Sequence, residues 1–234
     1  MNTKPIIVAL DIAEPATARN LAARLDPTLC RVKVGKELFT AGGPQVVDAL
    51  MHQGFEVFLD LKYHDIPNTV AAACRVAASQ GVWMLNVHAS GGKKMLHAAR
   101  EAIDAVPGHQ PLLIGVTVLT SLTAEEAREI YGMGSDVPSL VLKMAQQCAE
   151  AKLDGVVCSA EEAAMLRASM DPHFKLVTPG IRLADDAKGD QARVVTPVDA
   201  IKMGSDYLVI GRSITAAKDP VAALAGIVES LREI

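Results

Sequence analysis

Eight short runs of aliphatic and β-branched residues recur along the chain, at 6–10, 31–34, 57–61, 84–87, 112–116, 155–157, 175–177 and 207–210. Longer stretches of helical periodicity separate them, at 16–25, 45–53, 69–79, 93–105, 139–151, 160–168, 197–203 and 221–231. This alternation constrains the fold more than any other feature. Parallel strands cannot be joined by a hairpin; they need a crossover, and the helical stretches supply one each. Eight such units within 234 residues predict an α/β fold, a (β/α)8 TIM barrel forming a single domain over 1–234. A doubly wound open sheet is the alternative that a count of elements leaves open.

Only 3% of the residues are aromatic while half are hydrophobic, so Ala, Val, Leu and Ile must fill the core. That suits parallel strands covered by helices on their outer face. The net charge is −4, and no cluster of Lys and Arg interleaved with aromatics occurs, which argues against a nucleic-acid partner. The opening MNTKPIIVALDIAEP has a short apolar run broken by Asp11, too short for a signal peptide or a membrane span. A cytoplasmic protein without a membrane partner is expected. Cys30, Cys74, Cys148 and Cys158 form no C-x-x-C pair and are expected to be buried thiols. No two histidines have metal-pair spacing, so no metal is expected.

In such a barrel the chemistry sits at the C-terminal ends of the strands. The polar residues there are Asp11 after the first strand and Lys33 in the second. Asp60, Lys62 and Asp65 follow at the third, His88 and Ser90 at the fourth, and Thr117 and Thr120 at the fifth. Thr178 and Arg182 belong to the seventh, and Gly211 and Arg212 to the eighth. Asp60 and Lys62 are two apart on a strand, so both side chains should face the barrel interior. Lys33 on the neighbouring strand can join them, and mutual pairing lowers the cost of burying each charge. His88 is expected to be a hydrogen-bonded barrel residue rather than a general base.

Barrels often bind phosphate after strands seven and eight. Here both loops carry an arginine, Arg182 and Arg212, and Gly211 with Ser213 suggests a capped helix start where backbone N–H groups can meet an anion. The segment at 178–197, TPGIRLADDAKGDQARVVTP, is polar and poor in periodic apolar residues. A loop of that length in a compact domain is usually functional.

The stretch Asp60-Leu61-Lys62-Tyr63-His64-Asp65-Ile66-Pro67-Asn68-Thr69 resembles the signature of bacterial orotidine 5′-phosphate decarboxylases. The likeness runs through VALD at 8–11, KVG at 33–35, GVTVLTSL at 115–122, TPGIR at 178–182 and IGR at 210–212. It implies a (β/α)8 homodimer with shared active sites that converts orotidine monophosphate to uridine monophosphate and carbon dioxide without metal or organic cofactor. It implies further that Lys33, Asp60 and Lys62 form the charged network at C6 and the ribose, with Lys62 stabilising and protonating the C6 carbanion. Asp65 and Thr69 would reach the partner's site, Asp11 the ribose, and Thr120 the pyrimidine. Arg182, Gln191, Gly211 and Arg212 would hold the phosphate. Two rival readings share parts of this pattern. A metal-dependent keto-sugar-phosphate decarboxylase of the same superfamily uses a carboxylate on strand two, where this chain has Lys33. A non-catalytic nucleotide-phosphate sensor would need the phosphate grip but not the Lys/Asp cluster.

Overall fold

The computed structural model describes residues 4–132, 136–183 and 195–234. Eight parallel strands close into a barrel in chain order: β1 (Ile6–Ala9), β2 (Arg31–Gly35), β3 (Val57–Tyr63), β4 (Met84–His88), β5 (Leu112–Val116), β6 (Gly155–Val157), β7 (Lys175–Thr178) and β8 (Tyr207–Ile210). β8 pairs with β1 through Ile6–Leu208, Ile7–Val209 and Val8–Ile210, and that closure eliminates the open sheet. The expected strands agree with those observed to within two residues at every end.

Alternation along each strand sorts the core into two sets. Ile6, Val8, Val32, Val34, Val57, Leu59, Leu85 and Val87 point outward into the layer beneath the helices. Ile7, Phe58, Met84, Ile114, Val177 and Tyr207 form a second cluster inside the barrel. One step further along the same inward faces come Ala9, Lys33, Asp60, Asn86 and Val116, so the polar network rests directly on an apolar floor. At the opposite end the Arg31 guanidinium lies 4.1 Å from the Trp83 ring centroid and 5.3 Å from that of Tyr207, closing the N-terminal end of the barrel.

The outer layer comprises, among the described residues, α1 (Pro15–Ala22), α2 (Lys36–His52), α3 (Pro67–Ser79), α4 (Lys93–Asp104), α5 (Ala124–Tyr131), α6 (Val137–Glu150), α7 (Ala160–Ser169), α8 (Pro197–Lys202), α9 (Arg212–Thr215) and α10 (Pro220–Arg232). Two departures from the sequence reading stand out. α2 begins at Lys36 rather than near residue 45, because Gly43 at φ 60 makes the one non-helical step and Pro44 opens a second helical segment beyond it. α5 was not expected. Its apolar pattern is short, but Thr123 and Glu126 make a reciprocal capping box and Gly132 ends it in the left-handed region. Cys30, Cys74, Cys148 and Cys158 are all buried free thiols, as expected.

Candidate active site

The C-terminal mouth of the barrel opens into a cavity of about 580 Å³ whose walls include Asp11, Lys33, Asp60, Lys62, Thr120, Arg182, Gly211 and Arg212. Seven strand ends or the loops after them contribute. The charged network stands on one side and the two arginines on the other.

Asp60 is the hub. Its Oδ1 accepts from Lys62 Nζ at 2.6 Å and from Asn86 Nδ2 at 2.7 Å. Its Oδ2 lies 3.3 Å from Lys33 Nζ, which also donates to Asp11 Oδ1 at 2.8 Å. Burial by itself would raise the Asp60 pKa; the Lys33 and Lys62 ammonium groups and the donated hydrogen bonds outweigh it and hold the carboxyl below its ordinary value. Burial would likewise depress Lys33, and the Asp60 and Asp11 carboxylates outweigh it, so its pKa is raised. Asp60 and Lys33 therefore remain charged together around neutrality. Gly35 follows from the same crowding. A Cβ there would lie 3.1 Å from both Lys33 Nζ and Asp11 Oδ1.

Lys62 reaches Asp60 by a route that strand alternation does not supply. The β3–β4 register runs Phe58–Met84 and Leu59–Leu85, then jumps to Tyr63–Val87. Lys62 sits in that irregularity with φ 51, a left-handed backbone that a long side chain seldom adopts. Its N–H donates to Asn86 Oδ1 at 2.8 Å. Asn86 is fully buried and is not among the polar strand-end residues named from the sequence. The signal was present: Asn86 lies two residues beyond the inward-facing Met84, an amide inside the apolar run MLNVH.

Arg182 is buried, its backbone N–H bonds to Val195 O at 3.1 Å, and its Nε has no hydrogen-bond partner among the described residues. A buried guanidinium donor facing a cavity is suited to an anion. Gly211 caps α9 at its N-terminus, and a Cβ added there would meet Ala9 Cβ at an ordinary 3.7 Å, so protein packing alone does not require glycine. Ser213 is not the cap. It lies inside α9, because the helix starts one residue after Gly211, and its Oγ is buried without a partner among the described residues. α9 is a single turn, so its few amides add little to the field of the two arginines. Ser121 and Thr215 also line the cavity and were not anticipated.

Asp65 and Thr69 are not among the residues lining their own chain's cavity. Asp65 is exposed, its carboxylate accepting from Ile66 N at 2.6 Å, and Thr69 is exposed on α3. Gln191 lies outside the described residues. Thr117 donates to Val157 O at 2.7 Å, tying β5 to β6 rather than facing a ligand. His88 departs from expectation. Its ring packs against His64, centroids 5.4 Å apart, in place of a hydrogen bond among the described residues. Burial, with the nearby His64, Lys36 and Lys62, pushes its pKa down to about 4 against the opposing pull of Asp60. The neutral ring at physiological pH has no proton to give as an imidazolium.

Among the described residues no three His, Cys, Asp or Glu side chains gather as a metal site, and no helix is long and apolar enough to cross a membrane. The two carboxylates of the cavity, Asp11 and Asp60, both bind the Lys33 ammonium.

A family model described as orotidine 5′-phosphate decarboxylase / HUMPS matches residues 4–227. An orotidine 5′-phosphate decarboxylase of Laribacter hongkongensis is 59% identical over 223 residues, covering 95% of this chain and 91% of its own. That of Chromobacterium violaceum is 57% identical over 225 residues, covering 96% of this chain and 90% of its own. The crystal structure of the orotidine 5′-phosphate decarboxylase from Lactobacillus acidophilus superposes with a TM-score of 0.87 at 38% identity, over 97% of this chain and 99% of that one.

Proposed function

The chain belongs to the orotidine 5′-phosphate decarboxylase / HUMPS family, and on that premise we propose that it decarboxylates orotidine 5′-monophosphate to uridine 5′-monophosphate, the last step of de novo pyrimidine nucleotide synthesis. The enzyme is a carboxy-lyase, and the whole chain, 1–234, serves as one catalytic domain. The observation that carries the reading is the Lys33–Asp60–Lys62 network set across the cavity from Arg182 and Arg212. A nucleotide monophosphate spans such a site, phosphate to the arginines and base to the lysines.

Loss of carbon dioxide breaks the bond at C6 and leaves its electron pair in the ring plane, where no π system can delocalise it. An ammonium fixed at C6 stabilises that charge as it develops. Lys62 takes this role and then donates its proton to C6. Asp60 holds Lys62 and Lys33 in place, and its negative charge lies on the side of the departing carboxylate. Asp11 and Lys33 meet the ribose, and Thr120 the pyrimidine. Arg182, Arg212, Gly211 and Gln191 hold the phosphate, and that remote binding energy is used at the reacting carbon. No cofactor is required, since ammonium groups fill the positions where a metal would act. The decisive assay is the loss of substrate absorbance on adding enzyme in chelator without added metal. Turnover supports the reading; none with or without magnesium, beside magnesium-dependent turnover of a keto-sugar phosphate, overturns it in favour of the metal-dependent relative.

Arg212→Ala is expected to raise KM by roughly 10- to 100-fold, the worth of a charge-assisted hydrogen bond to phosphate. The melting temperature should hardly move, because Arg212 is exposed. Unchanged kcat and KM would remove Arg212 from the phosphate site.

The enzyme acts as a cytoplasmic homodimer in which Asp65 and Thr69 complete the partner's site. What supports this is their placement away from their own cavity, together with Ile66 and Val76, at 67% and 71% exposure the barest large hydrophobics of the described residues, on and beside the same helix. Mixing inactive Lys62→Ala with inactive Asp65→Ala subunits should restore roughly a quarter of parental activity, because each hybrid dimer holds one intact site. Absence of any recovery in mixtures that exchange subunits would place Asp65 outside the shared site.

A further inference from the structure

We propose that Asn86 is a positioning residue for the decarboxylation, holding Lys62 in its left-handed backbone conformation and thereby aiming its ammonium. The inference rests on the catalytic role of Lys62 given above.

Between Leu59 and Tyr63 the third strand takes four steps while the fourth takes two, from Leu85 to Val87. The intervening residues of β3 cannot all find ladder partners there. Lys62, at φ 51, turns its N–H toward the interior, where Asn86 Oδ1 accepts it at 2.8 Å. The same side chain donates from Nδ2 to Asp60 Oδ1 at 2.7 Å. One amide thus ties the backbone of Lys62 to the carboxylate that holds its Nζ at 2.6 Å. The amide has one workable orientation, because the flipped form would set N–H against N–H and oxygen against carboxylate. A left-handed non-glycine residue persists only where its surroundings over-determine it. Here both ends of Lys62 are fixed, its backbone by Asn86 and its ammonium by Asp60.

Asn86 is fully buried and is not among the residues lining the cavity. It acts through Lys62 and Asp60 rather than on substrate. Without it the Lys62 N–H loses its acceptor, the bulge is free to relax toward a regular strand, and the ammonium shifts. A displacement on the order of 1 Å costs about 100-fold in rate.

Two substitutions test this in the full-length enzyme. Asn86→Leu, close in volume but apolar, should lower kcat roughly 100-fold while KM changes by less than about threefold. Asn86→Asp should behave differently with pH. When protonated, the introduced carboxyl reproduces both bonds, its carbonyl oxygen accepting from Lys62 N and its hydroxyl donating to Asp60. When ionised it repels Asp60. Of the charged or titratable residues on the nearby strands, Asp60 and Lys62 on β3 bond to it directly, Lys33 on β2 reaches it through Asp60, His88 lies two residues along on β4, and β5 carries none. Burial and the adjacent Asp60 carboxylate raise the introduced carboxyl against the pull of Lys33 and Lys62, whose ammonium groups are already paired with Asp11 and Asp60, so the ratio of variant to parental kcat should climb as pH falls from about 8 to about 5. Parental kcat in a folded Asn86→Leu variant, or a ratio flat with pH in Asn86→Asp, overturns the proposal. If Asn86→Leu fails to fold, the pH ratio decides alone. Retained turnover in Lys62→Ala would mark a failure of the underlying reading. Inactive Lys62→Ala beside unaffected Asn86 variants would mark a failure of this inference only.

Discussion

Lys62→Ala is expected to yield a folded barrel that releases no measurable carbon dioxide from orotidine 5′-monophosphate. Two catalytic contributions disappear together. Removing one preorganised group that stabilises developing charge costs on the order of 100- to 1,000-fold. Losing the proton donor costs on the order of a further 100-fold or more. The product is at least about 10⁴-fold, or some 5 kcal/mol of barrier. The fold should survive, because Asp60 keeps two of its three partners, Lys33 and Asn86. The Lys62 backbone bond to Asn86 is also unaffected by truncating the side chain. A loss of about 1–2 kcal/mol and a few degrees of melting temperature is expected. Stopped assays on the variant, paired with a thermal melt, check both halves. Turnover within tenfold of the parent would take Lys62 out of the chemistry and leave the network a structural ion cluster.

The barrel was legible in the sequence because its signal is repeated. Eight repeats of strand and helix mean that one misread element does not change the α/β class, and the β8–β1 pairing is what separates the closed barrel from the open sheet. The polar network was legible for the same reason, since period-two alternation points Lys33 and Asp60 inward. For Lys62 the outcome agreed and the reason did not. Regular alternation would also have aimed it inward, but the observed strand slips register at that point, and a buried asparagine redirects it. A register slip depends on what the adjacent strand offers, and no local pattern in β3 records it. Asn86 itself was accessible to the alternation rule applied from Met84. α5 was accessible to the Thr123–Glu126 capping signal; its short apolar pattern hid it. Asp65 shows the opposite limit. Its position beyond a strand end suggests a site residue, but its own chain's cavity does not include it. Only the family resemblance supplied the second subunit.

Asp60→Asn is expected to lose stability and turnover at once, and pH separates the two roles. The Asp60 side chain is 11% exposed and that of Lys33 8%, so screening by water is slight. Replacing the carboxylate leaves Lys33 with only Asp11, which is 61% exposed, and gives Lys62 a neutral neighbour. Breaking a buried ion network by removing one partner costs about 3–5 kcal/mol, and the remaining Asp11 contact argues for the lower end. For a domain of this size about 3 kcal/mol corresponds to roughly 6–12 °C in melting temperature at neutral pH. Asp11→Asn, at an exposed position, should cost far less. The sign with pH follows from the direction of the shift. The folded-state pKa of Asp60 is below its ordinary 3.8, so its contribution is complete above that value and is lost as pH falls through the folded value. Lys33 is shifted upward, so its contribution is complete below its ordinary 10.5 and fades only at higher pH. Both are fully present across the neutral range, where parent and variant should differ most. Their melting temperatures should converge as the pH is taken below about 3.8. Turnover should remain depressed throughout the range in which both are folded, because an amide at position 60 neither anchors two ammonium groups nor opposes the substrate carboxylate. Equal melting temperatures at neutral pH would mean that the network stabilises nothing net, and that its buried charges serve only the reaction.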